Sequence, residues 1–395
     1  MTKELDVHVL KSHTGAVNAV SFFDGDEKFV SAGDDSCLIG WSVDEKRCIF
    51  KLKGHEAPIK ASSASPSGLK IVSGSWDRTV RIWDGSSTNC LWTLQHEALV
   101  LGVSFSEETS LITVCCDDKT AKVWDMRTYE NVMTFTGHSN SVTCCAQNEF
   151  TVATGSLDKT IRLSDMRTGS TLLMLTGHTS AVSAVDISSD GFKLCSGSWD
   201  KTVRVWDVHA GTYRTQGPRV MYEHEGCVSS CKFAVDNKKI VSGGFDKTVI
   251  IWDALATKKR HKIRAHGSWI NDIAMTVDGK WLLSCSKDRT IRMWNVENAD
   301  KMPVVLHNKL SMGYKFQECV DCQRTFKVEK RDLIEVGEEY IRCVYCRMPT
   351  RSYHRLSEHD LFISATETES KIEIVEKIND IYLNALHHFI DIFFI

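Results

Sequence analysis

No stretch of this 395-residue chain approaches the ~18 uncharged apolar residues that a membrane-spanning helix needs, so membrane association is not expected. Charge of one sign is also missing. The 48 Lys and Arg nearly balance the 51 Asp and Glu, leaving a formal net charge of −3. Nothing global therefore draws the chain to nucleic acid or anionic lipid. The opening residues MTKELD contain no apolar h-region, and a secretory signal is not expected. No phosphate loop, open metal site or solitary catalytic cluster stands apart, which argues against an enzyme. Most of the 15 cysteines share no spacing, as Cys115, Cys116, Cys144 and Cys145 illustrate. They suit small buried hydrophobes of a reducing compartment, cytoplasm or nucleus, better than a disulfide framework. With 42% hydrophobic and 25% charged residues, the chain can bury a core.

What the sequence does have is repetition. A histidine recurs at intervals of 40 to 46 residues, at His13, His55, His96, His138, His178, His224 and His266. Each copy closes on a tryptophan (Trp41, Trp83, Trp124, Trp206, Trp252, Trp294), except the fourth, which closes on Ser164. Six residues before each closing position stands an aspartate: Asp35, Asp77, Asp118, Asp158, Asp200, Asp246 and Asp288. A long period with polar residues locked in phase marks an array of like supersecondary units. Residues 70–83, KIVSGSWDRTVRIW, read as a hairpin, with β-branched alternation on either side of turn residues. A third strand follows each histidine, as at 17–22 and 182–187, and a fourth precedes it, as at 48–52 and 172–175. The units are therefore seven four-stranded sheets with no helix-period segment between them. Small sheets that cannot bury their faces alone must stack, and a closed ring leaves only short, protected edges.

The dipeptides at 54–55, 137–138 and 177–178 (GH), with SGSWDRTVRIWD (73–84) and SGSWDKTVRVWD (196–207), resemble the WD-repeat family. The resemblance spans residues 5–307 and implies a seven-bladed β-propeller that binds other proteins, through peptide segments, on its faces or rim. It also implies that His55, Ser73, Asp77 and Trp83, and likewise His178, Ser196, Asp200 and Trp206, form buried hydrogen-bonded sets. Ser-His-Asp sets repeated from blade to blade are structural elements rather than catalytic ones, and no catalytic residue is assigned. Two copies depart from the pattern: Val114 takes the hydroxyl position in blade three, and Ser164 replaces tryptophan in a blade four shortened by two residues. Blade four is expected to be the least stable. The connection 211–222 is longer than its counterparts and should bulge from one face. Outer strands outnumber blades by one, and by family analogy 7–11 closes the last blade while 303–307 leads onward.

The resemblance places two residues per blade on the narrower face, one before each turn aspartate and one three after each histidine. The first set is Asp34, Trp76, Asp117, Leu157, Trp199, Phe245 and Lys287; the second is Ala16, Pro58, Leu99, Ser141, Ala181, Cys227 and Trp269. Trp76, Trp199, Phe245 and Trp269, with Lys287, Leu99 and Leu157, are the candidate partner-binding residues, because exposed aromatics anchor protein interfaces. Basic residues follow six of the seven aspartates (Arg78, Lys119, Lys159, Lys201, Lys247, Arg289). They suit solvated turn positions or a preference for acidic peptides.

A second module covers 314–356. Cys319 and Cys322 (CVDC) precede Cys343 and Cys346 (CVYC) by twenty residues, and two such pairs supply four thiolates to one tetrahedral zinc. A closed four-thiolate sphere is structural, and so small a module has little else to hold it together. The remaining segment, 357–395, combines an acidic linker with apolar residues at helical intervals (Val375, Ile378, Tyr382, Leu386, Phe389, Phe393) and reads as an amphipathic helix. The sequence thus specifies an all-β propeller, a small CxxC/CxxC zinc ribbon and a C-terminal helix, acting as a protein-interaction scaffold. The order of modules resembles that of the PQQ repeat and WD repeat-containing proteins. The alternatives are a nucleic-acid-associated factor, its moderately basic ribbon (Lys327, Lys330, Arg331, Arg342, Arg347) as the contact, or the substrate receptor of a larger complex.

Overall fold

The computed structural model describes residues 7–106, 109–149, 151–209, 217–254, 256 and 258–296, together with short strands at Val305–His307, Lys315–Glu318 and Thr325–Val328. The chain divides into two compact units, Met1–Gly313 and Tyr314–Ile395. Each blade in the first unit is built on four antiparallel strands, blade six carrying a fifth, and no helix occurs among the described residues. Blade two shows the pattern: Ile59–Ala64 innermost, then Lys70–Ser75, Thr79–Asp84 and Cys90–Gln95 outermost. Inner strands of successive blades lie side by side, and the strand Ile270–Met275 of blade seven meets Val17–Phe23 of blade one, which closes the ring.

The burial pattern explains why this sequence makes this ring. The first residue of every inner strand (Val17, Ile59, Val100, Val142, Val182, Val228, Ile270) is buried against the preceding blade. Facing it is a small residue of that blade. A Cβ placed on Gly197 would come within 2.6 Å of Val228, and one on Gly243 within 2.8 Å of Ile270. Glycine is needed at these points because the sheets approach closely, not because the chain turns. Next in each inner strand comes a polar side chain that donates across the blade boundary. Asn18 donates to the Ile59 carbonyl (2.8 Å), Thr143 to Val182 (2.5 Å), Ser183 to Val228 (2.5 Å), Ser229 to Ile270 (2.6 Å) and Asn271 to Val17 (2.8 Å). The equivalents in blades two and three are Lys60 and Leu101, so these stitches are absent on both sides of blade three.

The N-terminal strand Val7–Lys11 completes blade seven, antiparallel to Thr290–Asn295 with Val7 opposite Trp294 and Lys11 opposite Thr290. The other candidate closing segment does not simply lead away. Val305–His307 pairs in parallel with Lys258–Arg264, the outermost strand of blade six, and gives that blade a fifth strand. An outer strand presents unpaired N–H and C=O groups, and here the departing chain satisfies them. In the second unit, Lys315–Glu318 and Thr325–Val328 form an antiparallel hairpin. Cys319, Cys322, Cys343 and Cys346, the 357–395 segment, and residues 210–216 lie outside the described residues; the end of the expected 211–222 connection, Arg219–Tyr222, is the outermost strand of blade five.

The two irregular blades lose different things. In blade four Ser164 is buried at 2% exposure and His138 keeps bonds to Asp158 and Thr154 (2.8 and 3.0 Å), so that blade loses only an indole. The polar deficit falls in blade three, because Val114 offers no hydroxyl. His96 Nε2 and Trp124 Nε1 are buried without hydrogen-bond partners, at a cost of about 1–3 kcal/mol each. Thr154 of blade four demonstrates that threonine fits this position. Val114→Thr is therefore expected to stabilise the propeller by about 1 kcal/mol or more, read as a higher urea midpoint at unchanged slope. An unchanged or lower midpoint would mean that the two donors are already satisfied.

Candidate interaction face

In the regular blades one buried imidazole holds two turns together. Its Nδ1 donates to the turn aspartate at 2.6 to 3.0 Å. Its Nε2 meets the Ser or Thr hydroxyl at 2.7 to 3.0 Å. That serine in turn accepts from the closing indole at 2.8 to 2.9 Å in blades one, two, five, six and seven. Since the indole N–H can only donate, the serine O–H is free to donate to Nε2, and a neutral Nδ1-protonated imidazole satisfies every atom. Ser73, Ser196, Ser242 and Ser284 are fully buried, so these sets present no nucleophile to a substrate. In blade three His96 makes no such bond, and Asp118 turns instead to Lys122 (3.1 Å) and Thr120.

The relay has a consequence at the surface. It reinforces the tie between aspartate turn and histidine loop where the two candidate positions of each blade meet; in blade three, which lacks the relay, the backbone bond between them is still made. In all seven blades the residue before the aspartate donates its N–H to the carbonyl three after the histidine: Asp34 to Ala16, Trp76 to Pro58, Asp117 to Leu99, Leu157 to Ser141, Trp199 to Ala181, Phe245 to Cys227 and Lys287 to Trp269, at 2.8 to 3.0 Å. These fourteen residues form one ring at one end of the blades. Not all of them face solvent, since Ser141 and Ala181 are buried. Trp76, Leu99, Leu157, Trp199 and Phe245 are half-buried, and Lys287 is exposed.

The aromatics are not evenly shared. Phe245 and Trp269, from adjacent blades, stack with centroids 4.7 Å apart at 14°. Lys287 Nζ lies 4.5 Å from the centre of the Trp269 ring, and Trp269 remains 40% exposed. Trp76 belongs to a separate group, under Lys60 Nζ at 4.1 Å, and its Nε1 is buried without a partner. Lys60, unnoticed in the sequence, also reaches Asp34 at 3.0 Å. Its signal was available, because lysine replaces the small polar residue that stitches most other blades. The basic residues after the aspartates all have left-handed backbones, with φ from 66° to 70° for Arg78, Lys119, Lys159, Lys201, Lys247 and Arg289. Each turn is held by its aspartate, as where Asp77 accepts from the Thr79 N–H (2.9 Å) and hydroxyl (2.6 Å).

The axis of the ring is a polar cavity of about 480 Å³. There Lys232 approaches Asp186 at 3.9 Å, while Asp272 accepts from Ser230 (2.7 Å) and the Val20 N–H (3.0 Å). These bonds join blade seven to blades six and one, and the group serves ring closure.

A family model described as "WD domain, G-beta repeat" matches residues 5–42, 46–84, 88–125, 129–165, 169–207, 217–253 and 257–295. The match extends to no other repeat type, so the likeness to PQQ repeat and WD repeat-containing proteins rests on module order alone. Nuclear distribution protein PAC1 of Arthroderma otae is 34% identical over 151 residues, covering 35% of this chain and 33% of that protein. A ribosome biogenesis protein WDR12 homolog of Drosophila sechellia is 33% identical over 145 residues, 30% of this chain and 34% of its own length. Pre-mRNA-processing factor 19 of Oryza sativa subsp. japonica is 28% identical over 156 residues, 38% of this chain and 30% of its own. The aligned part of this chain thus spans about a third of each relative's length.

The electrostatics of the relay predict acid lability. Burial lowers the His55, His138, His178 and His266 imidazoles, and burial with nearby Lys122 brings His96 to about 4. Burial alone would raise Asp246, but His224 and Thr248 outweigh it and hold the carboxyl at about 2. Both kinds of group bind protons more tightly when unfolded, so each contributes stability that is complete above its unfolded pKa and lost towards its folded one. The urea midpoint should fall below about pH 6.5 as histidines protonate in the unfolded chain, and again from about pH 4 towards 2 as carboxylates do. His96→Gln should flatten the first decline; a pH-independent midpoint across both windows would contradict the neutral relay.

Proposed function

Because this chain belongs to the WD-repeat family, we propose that it is a non-enzymatic scaffold or adaptor that holds peptide segments of other proteins on one propeller face. The observation that carries this reading is the stacked Phe245–Trp269 pair, half open to solvent at a ring where one backbone bond per blade aligns the surface residues. Trp199, Trp76, Leu99, Leu157 and Lys287 complete the surface. A protein interface concentrates its energy in such partly desolvated aromatics. The relatives' names, with nuclear distribution, ribosome biogenesis and pre-mRNA processing among them, suit a cytoplasmic or nuclear protein that works in an assembly.

The second unit is proposed to be a zinc ribbon. Cys319, Cys322, Cys343 and Cys346 would be the four ligands, and the donor set fits the ion, since thiolate pairs favour tetrahedral zinc and leave no position for water. The first pair falls, in sequence, between the paired strands Lys315–Glu318 and Thr325–Val328, where a short hairpin connection would hold two thiolates close. The metal would supply folding energy to so short a segment.

Affinity capture followed by mass spectrometry should lose the same set of partners with Trp199→Ala/Trp269→Ala and retain it with Cys343→Ser/Cys346→Ser. The opposite pattern would move recognition to the zinc module and leave the propeller as a platform. Elemental analysis of the purified chain should give stoichiometric zinc that the cysteine double variant lacks. Zinc absent from the unmodified protein would refute the ribbon.

A further inference from the structure

We propose that the occupant of this face is an acidic peptide, lying with its carboxylates over blades five to seven and an aromatic or leucine side chain on the Phe245–Trp269 shelf. The inference rests on the scaffold reading above and specifies its ligand. Charge on the face is divided. Blades one to three mix carboxylates (Asp34, Glu56, Glu97, Asp117) with cations (Lys60, Arg78, Lys119), so positive charge does not prevail there. Blades five to seven carry Lys201, Lys247, Lys287 and Arg289 around the aromatic stack, where the position after the histidine is Thr179, Glu225 or Gly267. Glu225 is engaged by Lys262 at 3.5 Å. Among the described residues no carboxylate lies within ion-pair distance of Lys201, Lys247, Lys287 or Arg289.

The carboxylates of blades one to three are, by contrast, partly satisfied from within. Asp34 is held by Lys60 (3.0 Å) and Asn18 (2.7 Å), and Asp117 receives the Ser141 hydroxyl at 2.5 Å. The positive sector is local, since the whole chain is slightly negative at −3. Its cations are also well placed. Lys201, Lys247 and Arg289 project from the same left-handed turn position in consecutive blades (φ 69°, 68° and 67°), so the blade spacing sets the spacing of their charges. Lys287 lies over the exposed tryptophan and can engage an anion while remaining over the ring. A segment with carboxylates on either side of an apolar side chain matches this arrangement, and a basic segment would be repelled.

The test uses the full chain and three sets of short fluorescein-labelled peptides, each with one central leucine or phenylalanine flanked by Glu, by Gln or by Lys, read by fluorescence anisotropy. Only the Glu set is expected to bind tightly, more weakly as salt is raised. Lys201→Glu/Lys247→Glu should lower its affinity roughly tenfold or more. Trp269→Ala should do the same, while Glu97→Gln should leave it intact; circular dichroism confirms that each variant is folded. Binding that needs Trp269 but ignores peptide charge would overturn this inference and leave the scaffold reading standing. Failure of all three sets, preference for the Lys set, or tighter binding of a single-stranded oligonucleotide than of the Glu set would also overturn it.

Discussion

The polar framework of this propeller centres on a neutral imidazole buried in most of its blades. One ring nitrogen holds the turn aspartate, the other meets a hydroxyl that also receives the indole, and three elements distant in sequence become one rigid unit. A buried polar chain of this kind stabilises only when every member is satisfied. Asp246, held at about 2, shows how strongly the folded state prefers the carboxylate. The same lock ties the turn to the histidine loop in the blades that have it, beside a backbone bond that pairs the surface positions in all seven.

Blade three tests this view within the molecule. Replacing one hydroxyl by the Val114 side chain strands His96 Nε2 and Trp124 Nε1 and sends Asp118 to a lysine. The blade persists because its apolar contacts do not depend on the relay: Val100, Ile112 and Val114 are buried in one cluster with Val72 and Val80 of blade two. Hydrophobic burial builds the ring, and the relay sets the geometry of its turns. The side-chain bond that the second residue of an inner strand makes in other blades is missing on both sides of this blade, and other bonds stand in, from the Phe105 N–H to Ser63 (3.2 Å) and from Gln147 to the Leu111 carbonyl (2.8 Å).

The face combines an aromatic base with an outer layer of charge. The Phe245–Trp269 stack bridges two blades, so its position depends on ring closure and on the N-terminal strand that completes blade seven. Around it, lysines and arginines stand on left-handed turn residues that cost each L-amino acid about 1 kcal/mol relative to glycine. The aspartate bonds to the following threonine offset that strain and keep the cations in place.

Much of this was legible in the sequence, and the reason is periodicity. Seven histidines, seven aspartates and alternating β-branched residues in one phase determined the blade count and the strand pattern, because each blade solves the same local problem with the same local chemistry; the bonding of the relay came from the resemblance to the WD-repeat family. The two damaged blades were visible as Val114 and Ser164. Their relative cost was not, since it depends on which neighbours are left without partners in three dimensions. Closure by 7–11 followed from strand arithmetic and family analogy. The parallel pairing of Val305–His307 did not, because a departing strand selects an edge by proximity across the fold. Likewise, the sequence identified which residues belong to the face, but only the tertiary structure decided that Phe245 stacks on Trp269 while Trp76 sits under Lys60. Those contacts join different blades, and no pattern within a repeat encodes them.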